Sequence, residues 1–215
     1  MTKGLLINDL QLGYAPLSAY AFMKMLEDKK WHQNVSDSHL YIIGQRKEIT
    51  FNQFNFDEQG KIKFEIWQEG NPNKLRCVLP IFQKHIASNK EVGIDVRLQN
   101  RKNTVDKKHK YPFNNTQSII FQEVNKSGER KHIIWFSPEK LLQNRWKGYI
   151  DLLIEGEQSS FLEYRVHYVG KSTEQNICSR LSNHSTFQEI LAKEDVLTYG
   201  NIPSNEITIL LFSRP

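Results

Sequence analysis

The stretch from Tyr164 to Glu206 limits what this chain can fold into more than any other. Tyr164 to Val169 alternates as a strand does, Gly170 and the polar residues after it turn the chain, and Ser172 or Thr173 can cap a helix. In that helix Ile177 and Leu181 would face the core. Arg180 and His184, four residues apart, would share a neighbouring face. Ser185-Thr186-Phe187-Gln188 has the form of a capping box and opens a second short helix. Val196 to Ile202 reads as another strand, and Pro203-Ser204-Asn205-Glu206 opens a last helix with Ile207, Leu210 and Leu211 as its buried side. Upstream, Gly148 to Gly156 is a strand candidate that Glu157 to Ser160 can turn back into the Tyr164 strand. The predicted order is strand, strand, helix, helix, strand, helix, which would bring phenols, a cation, an imidazole and the Glu206 carboxylate together.

By residue and spacing this part resembles the GIY-YIG nucleases. Tyr168-Val169-Gly170 stands for the second triplet, and Arg180, His184 and a downstream glutamate follow at about the family's intervals. No Gly-Ile-Tyr occurs. The nearest counterpart is Gly148-Tyr149-Ile150, which makes Tyr149 the candidate for the other tyrosine and leaves Tyr164 as its rival. The resemblance covers Gly148 to Pro215 and implies hydrolysis of phosphodiester bonds with one divalent cation. It implies that Tyr168 lies near the water or phosphate, Arg180 stabilises the phosphate, His184 assists proton transfer or orients the tyrosine, and Glu206 holds Mg2+ or another divalent cation. Lys171 would lower the tyrosine pKa by its charge. These residue types suit the chemistry. A water must lose a proton, an arginine fork matches phosphate oxygens, and magnesium takes a carboxylate together with phosphate oxygens and waters. Taken singly, each has a plainer reading: a half-buried strand aromatic, a polar helix face, a first-turn acid favoured by the helix dipole.

Charge points to where a polyanion would be gripped. The chain of 215 residues carries a net +5. Arg97 to Lys131 alone holds nine Lys/Arg against Asp106, Glu123 and Glu129, a net +6, whereas Pro138 to Pro215 holds eight basic residues against ten acidic, a net −2. The motif-bearing part would cut, and the basic middle would attract double-stranded DNA through Arg101, Lys102, Lys107, Lys108 and Lys110. Apolar runs are too short to span a bilayer and the N-terminus has no signal-peptide pattern, so a cytoplasmic protein without membrane contact is expected. Cys77 and Cys178 lie far apart and outside any metal-ligand spacing, so both read as ordinary thiols.

The rest reads as mixed and rich in hairpins. Leu17 to Trp31 is a helix with Ser18 as N-cap, and Leu40 to Ile43 a short buried strand. Phe51, Phe54 and Phe56 line up with polar residues between them. Lys61 to Gln68, Leu75 to Phe82, Gln117 to Val124 and Lys131 to Phe136 are strands. Ser137-Pro138-Glu139 starts a helix running to about Trp146. Trp67, Trp135 and Trp146 read as core anchors. The expected fold is α+β. Residues 1–136 form a region for nucleic-acid binding or support, and residues 137–215 form a catalytic module, a three-stranded antiparallel sheet flanked by helices. The expected function is a metal-dependent DNA endonuclease of restriction or mobile-element type. The alternatives are a nucleic-acid-binding protein on the same scaffold without catalysis, and a nuclease for RNA or branched DNA.

Overall fold

The computed structural model of the chain describes residues 10–87, 93–100, 113–172 and 176–213. Their backbone is α+β, with antiparallel sheets and several helices. The chain forms two compact units, one of Met1–Lys47 with Glu163–Pro215, the other of Glu48–Leu162. The division expected after residue 136 is therefore not the one observed: the second unit is inserted, in sequence, into the first. The basic residues Arg101, Lys102, Lys107, Lys108 and Lys110 lie outside the described residues, as does Thr173.

The first unit opens with two short strands, β1 (Gln11–Leu12) and β2 (Leu17–Ser18), then α1 (Ala19–Met25) and α2 (Lys29–Asn34). Ser18 caps α1 as expected, its hydroxyl accepting from the Ala21 N–H at 3.1 Å. The single helix expected here is broken by Asp28, whose carboxylate accepts from the N–H groups of Lys30 and Trp31 and so starts a new helix. Strand β3 (Ser38–Gln45) follows.

The second unit is continuous in sequence. Strands β4 (Ile49–Phe56), β5 (Lys61–Gln68) and β6 (Leu75–Pro80) form consecutive antiparallel pairs. Strands β7 (Gly93–Gln99), β8 (Ser118–Val124) and β9 (Arg130–Phe136) form a second sheet, followed by α3 (Pro138–Trp146). Phe51 and Phe54 are three apart, yet both are fully buried. A bulge permits this: Gln53 takes φ 55 and the register shifts between Asn52 and Asn55, so the strand reverses face and Phe56 is left exposed. Helix α3 starts as read, with the Ser137 hydroxyl accepting from Lys140 N–H and Pro138 at the first turn, and it packs on β4 and β9.

Helix α3 ends at Gly148, where φ is +70. Tyr149 N–H donates to Asn144 O at 2.8 Å and Gly148 N–H to Arg145 O at 3.0 Å, the paired bonds of a glycine-terminated helix. Gly148-Tyr149-Ile150 is therefore a helix stop and not a strand. The strand that follows, β10 (Leu153–Glu155), pairs with β6, so the predicted hairpin with the Tyr164 strand does not form. A single 3₁₀ turn, Ser159–Phe161, closes the unit.

The first unit resumes with β11 (Arg165–Lys171), α4 (Ile177–Ser182), α5 (Ser185–Lys193), α6 (Pro203–Glu206) and β12 (Ile207–Ser213). Strand β3 lies between β11 and β12, antiparallel to both, and β1 and β2 pair with β12. Ile207 to Ser213, expected to be helical, is a strand because Ile207, Thr208 and Ile209 are consecutive, β-branched and all buried, which needs a sheet covered on both faces. Val196 to Ile202, expected to be a strand, is a loop. Phe22 packs edge-on against Trp31 and Phe187, joining α1, α2 and α5. Among the described residues no helix is long and apolar enough to cross a membrane.

Candidate active site

The site is built on one cross-strand pair. Gly170 on β11 stands directly opposite Tyr41 on β3, and Tyr168 stands opposite Ile43, so Tyr41, Tyr168 and Gly170 share a sheet face. A Cβ at Gly170 would fall within 2.6 Å of Tyr168 Cε1 and closer still to the Tyr41 phenol. The glycine lets the two rings come together over bare backbone, their centroids 5.9 Å apart.

His184 reaches the same place from the helices. Its ring packs edge-on against Tyr168 at 5.0 Å and Tyr41 at 5.9 Å between centroids. Arg180 and His184 do not share one helix as the spacing suggested. Arg180 lies in the last turn of α4, whereas His184 is the N-cap of α5, its Nδ1 accepting from the Phe187 N–H at 3.2 Å. The expected Ser185 capping box is thus displaced by one residue. With Nδ1 committed as acceptor, the proton of the neutral ring sits on Nε2, which is buried and has no hydrogen-bond partner among the described residues. Burial first, and the Arg180 charge second, hold the His184 pKa below the usual histidine value.

Tyr41 is fully buried, and desolvation raises its phenol pKa. The neighbouring Arg180 charge opposes that rise and Tyr168 adds to it, although the Tyr41 hydroxyl makes no hydrogen bond of ordinary geometry among the described residues. Tyr168 is half-buried and Arg180 exposed, so these two present the site to solvent.

The other expected residues fall elsewhere. Tyr149 belongs to the second unit, where it is 55% exposed beside His85. Tyr164 lies over Gly44 and under the Arg46 guanidinium, 5.3 Å from its ring centroid. Lys171 is exposed, and strand alternation turns it to the face opposite Tyr168. Tyr41 was missed by sequence reasoning. Its one signal was a tyrosine inside the short buried strand Leu40 to Ile43, whose partner strand the sequence does not name.

Glu206 has a different occupation from the one expected. It is fully buried, and its carboxylate accepts from the Leu197 N–H and from Asn201 Nδ2 at 3.1 Å, tying down the loop between α5 and α6. The loop is also held at Asp195 O, which accepts from Gln45 Nε2 at 2.7 Å. A magnesium ion needs a carboxylate open to waters and phosphate oxygens. Both Glu206 oxygens are engaged and neither faces solvent, so Glu206 in this arrangement does not fit as a metal ligand. Among the described residues no group of three or more His, Cys, Asp or Glu could hold an ion. Cys77 and Cys178 are free and buried, their thiol pKa values pushed up by burial to about 12 and about 11.

Comparison of the chain with protein-family models, with curated proteins and with solved structures returns no match.

Proposed function

We propose that the first unit is a GIY-YIG-like endonuclease module cleaving phosphodiester bonds in DNA, with Tyr41 in the part sought in Tyr149. The observation that carries this is the convergence of Tyr41, Tyr168, Arg180 and His184 around Gly170 from four separate elements. Tyr168 is the phenol that an attacking water can reach, and in its phenolate form it is the proton acceptor. Tyr41, buried and with a raised pKa, keeps its proton at neutral pH and sets the orientation of its neighbour. Arg180, exposed beside the phenols, receives the phosphate charge. His184 serves as a neutral donor through Nε2 and not as a base, because its Nδ1 lone pair is spent on the α5 cap. Magnesium or another divalent cation is the cofactor that the resemblance implies, and cytoplasmic location is part of the same reading.

The test is plasmid nicking with magnesium, with and without chelator. Tyr168→Phe should lower the rate by about 10²- to 10⁴-fold, the usual worth of a general base, and Arg180→Ala by about 10²- to 10³-fold. Wild-type protein that never nicks would overturn the hydrolytic reading. The buried, fully engaged Glu206 favours one second reading, a DNA-binding protein on the same scaffold that does not cut. DNA binding without nicking under any divalent cation would support it.

A further inference from the structure

The second unit carries two exposed aromatics, Trp146, which the sequence pattern assigns to the core, and Tyr149, which it assigns to the catalytic site. Trp146, at the last turn of α3, is 76% exposed, and Tyr149, just beyond the helix, is 55% exposed. They are not on a loose tail. The paired bonds that end α3 at Gly148 fix the backbone beneath both side chains. Arg145 Nε donates to Leu152 O at 3.2 Å and draws the following segment back along the helix. Gln83 then clamps a neighbouring segment alongside, its Oε1 accepting from Asp151 N–H at 2.7 Å and its Nε2 donating to Asp151 O at 3.2 Å. That clamp puts His85 beside Tyr149, their ring centroids 6.2 Å apart.

Cations lie close to these rings in sequence. Phe82–His85 and Arg145–Asp151 together hold Lys84, Arg145 and Lys147 against one carboxylate, Asp151. One exposed aromatic would need no explanation, but Trp146 and Tyr149 are both held exposed on one fixed helix end, as a surface awaiting a binding partner is. Aromatic faces interleaved with lysine and arginine match a single nucleic-acid strand, whose unpaired bases stack on the rings while its phosphates meet the cations. A protein partner would also accept the aromatics, but the cations would have no matching charge built into that choice.

We propose that this surface, Trp146 and Tyr149 with Lys84, Arg145 and Lys147, binds single-stranded nucleic acid by base stacking. The inference rests on the reading of the chain as a nucleic-acid enzyme and assigns a strand-holding contact to the inserted unit.

The experiment measures anisotropy of a fluorescein-labelled oligothymidylate with the full chain, as wild type, Trp146→Ala, Tyr149→Ala and the double variant, beside Lys84→Gln with Arg145→Gln. Each aromatic loss should weaken binding about ten- to hundredfold, the usual worth of a stacked base. The charge variant should flatten the dependence of log affinity on log salt by about one to two units. Because both aromatics are exposed, far-ultraviolet circular dichroism and melting temperature should not move. A folded double variant that binds like wild type would overturn the proposal. So would a wild type that ignores the oligonucleotide, and one that instead self-associates through Trp146 would give the surface to a protein partner. The nicking assay separates the two readings. Stacking-dependent binding without cutting sinks only the hydrolytic one, and cutting with binding indifferent to Trp146 sinks only this one.

Discussion

In the second unit, Glu48–Leu162, strands mostly pair with neighbours in sequence: β4 with β5, β5 with β6, β7 with β8, β8 with β9. In the first unit, β3 near the start of the chain pairs with β11 and β12 near its end. Local pairings close short loops, whereas the β3–β11 pair brings together strands separated by an entire inserted unit. The inserted unit buries a large aromatic and aliphatic core that includes Phe51, Phe54 and Phe64. In the first unit the same cross-strand pairings that build the fold also build the candidate site. A change at the Gly170–Tyr41 pair is therefore a change in fold and chemistry together. A change at Phe51 concerns packing alone.

The sharpest way to break that contrast is Phe51→Ala. Phe51 is fully buried and its ring packs edge-on against Phe64 at 5.2 Å. Truncation should cost about 3–5 kcal/mol, read by native-state hydrogen exchange as lost protection at β4 and β5 amides. An equal loss at β3 amides would show that the two units unfold as one body.

Gly170→Ala tests the other side with a smaller effect. The added methyl must displace the buried Tyr41 ring, an overpacking cost of about 1–3 kcal/mol. Exchange should rise at β3 and β11, and nicking should fall by more than that loss of stability explains, because both phenols shift. Full activity with normal protection would separate the pair from the site.

The same division decides what the sequence could tell. Lys61 to Gln68 and the helix from Pro138 were legible because alternation, cap and proline are local signals, and local contacts dominate there. Gly148 was misread since a glycine before a tyrosine fits a strand start as well as a helix stop, and only the chain behind it, still helical through Trp146, decides. Ile207 to Leu211 was misread because apolar residues at Ile207, Leu210 and Leu211 match a helix face. The consecutive burial of Thr208 and Ile209 depends on strands from the other end of the chain. Tyr168, Arg180 and His184 were found by spacing and do converge, but by another route: two helices meeting at a cap, not one continuous face. Tyr41 carries no local mark, since what makes it a candidate site residue is Gly170 opposite.

The smallest effect contrasts how the units bury charge. Glu206 in the first unit has donors for both carboxylate oxygens, whereas Lys140 in the second lies over the Trp135 ring, 4.3 Å from its centroid, and burial lowers its pKa to about 8. An unfolded lysine titrates near 10.5. Between these values the unfolded chain binds more protons, so stability should rise with pH from about 8 to about 10.5. Below that window the ammonium is buried at a constant cost, and above it the cost is gone. Lys140→Met should therefore stabilise the second unit near pH 7 by an amount on the order of 1–3 kcal/mol, partly offset by the lost contact with Trp135. It should also flatten the slope above pH 8. Urea unfolding at pH 7, 9 and 10.5 reads both effects. A wild type with no rise across the window would mean that the Trp135 ring and neighbouring groups hold the ammonium as well as water does.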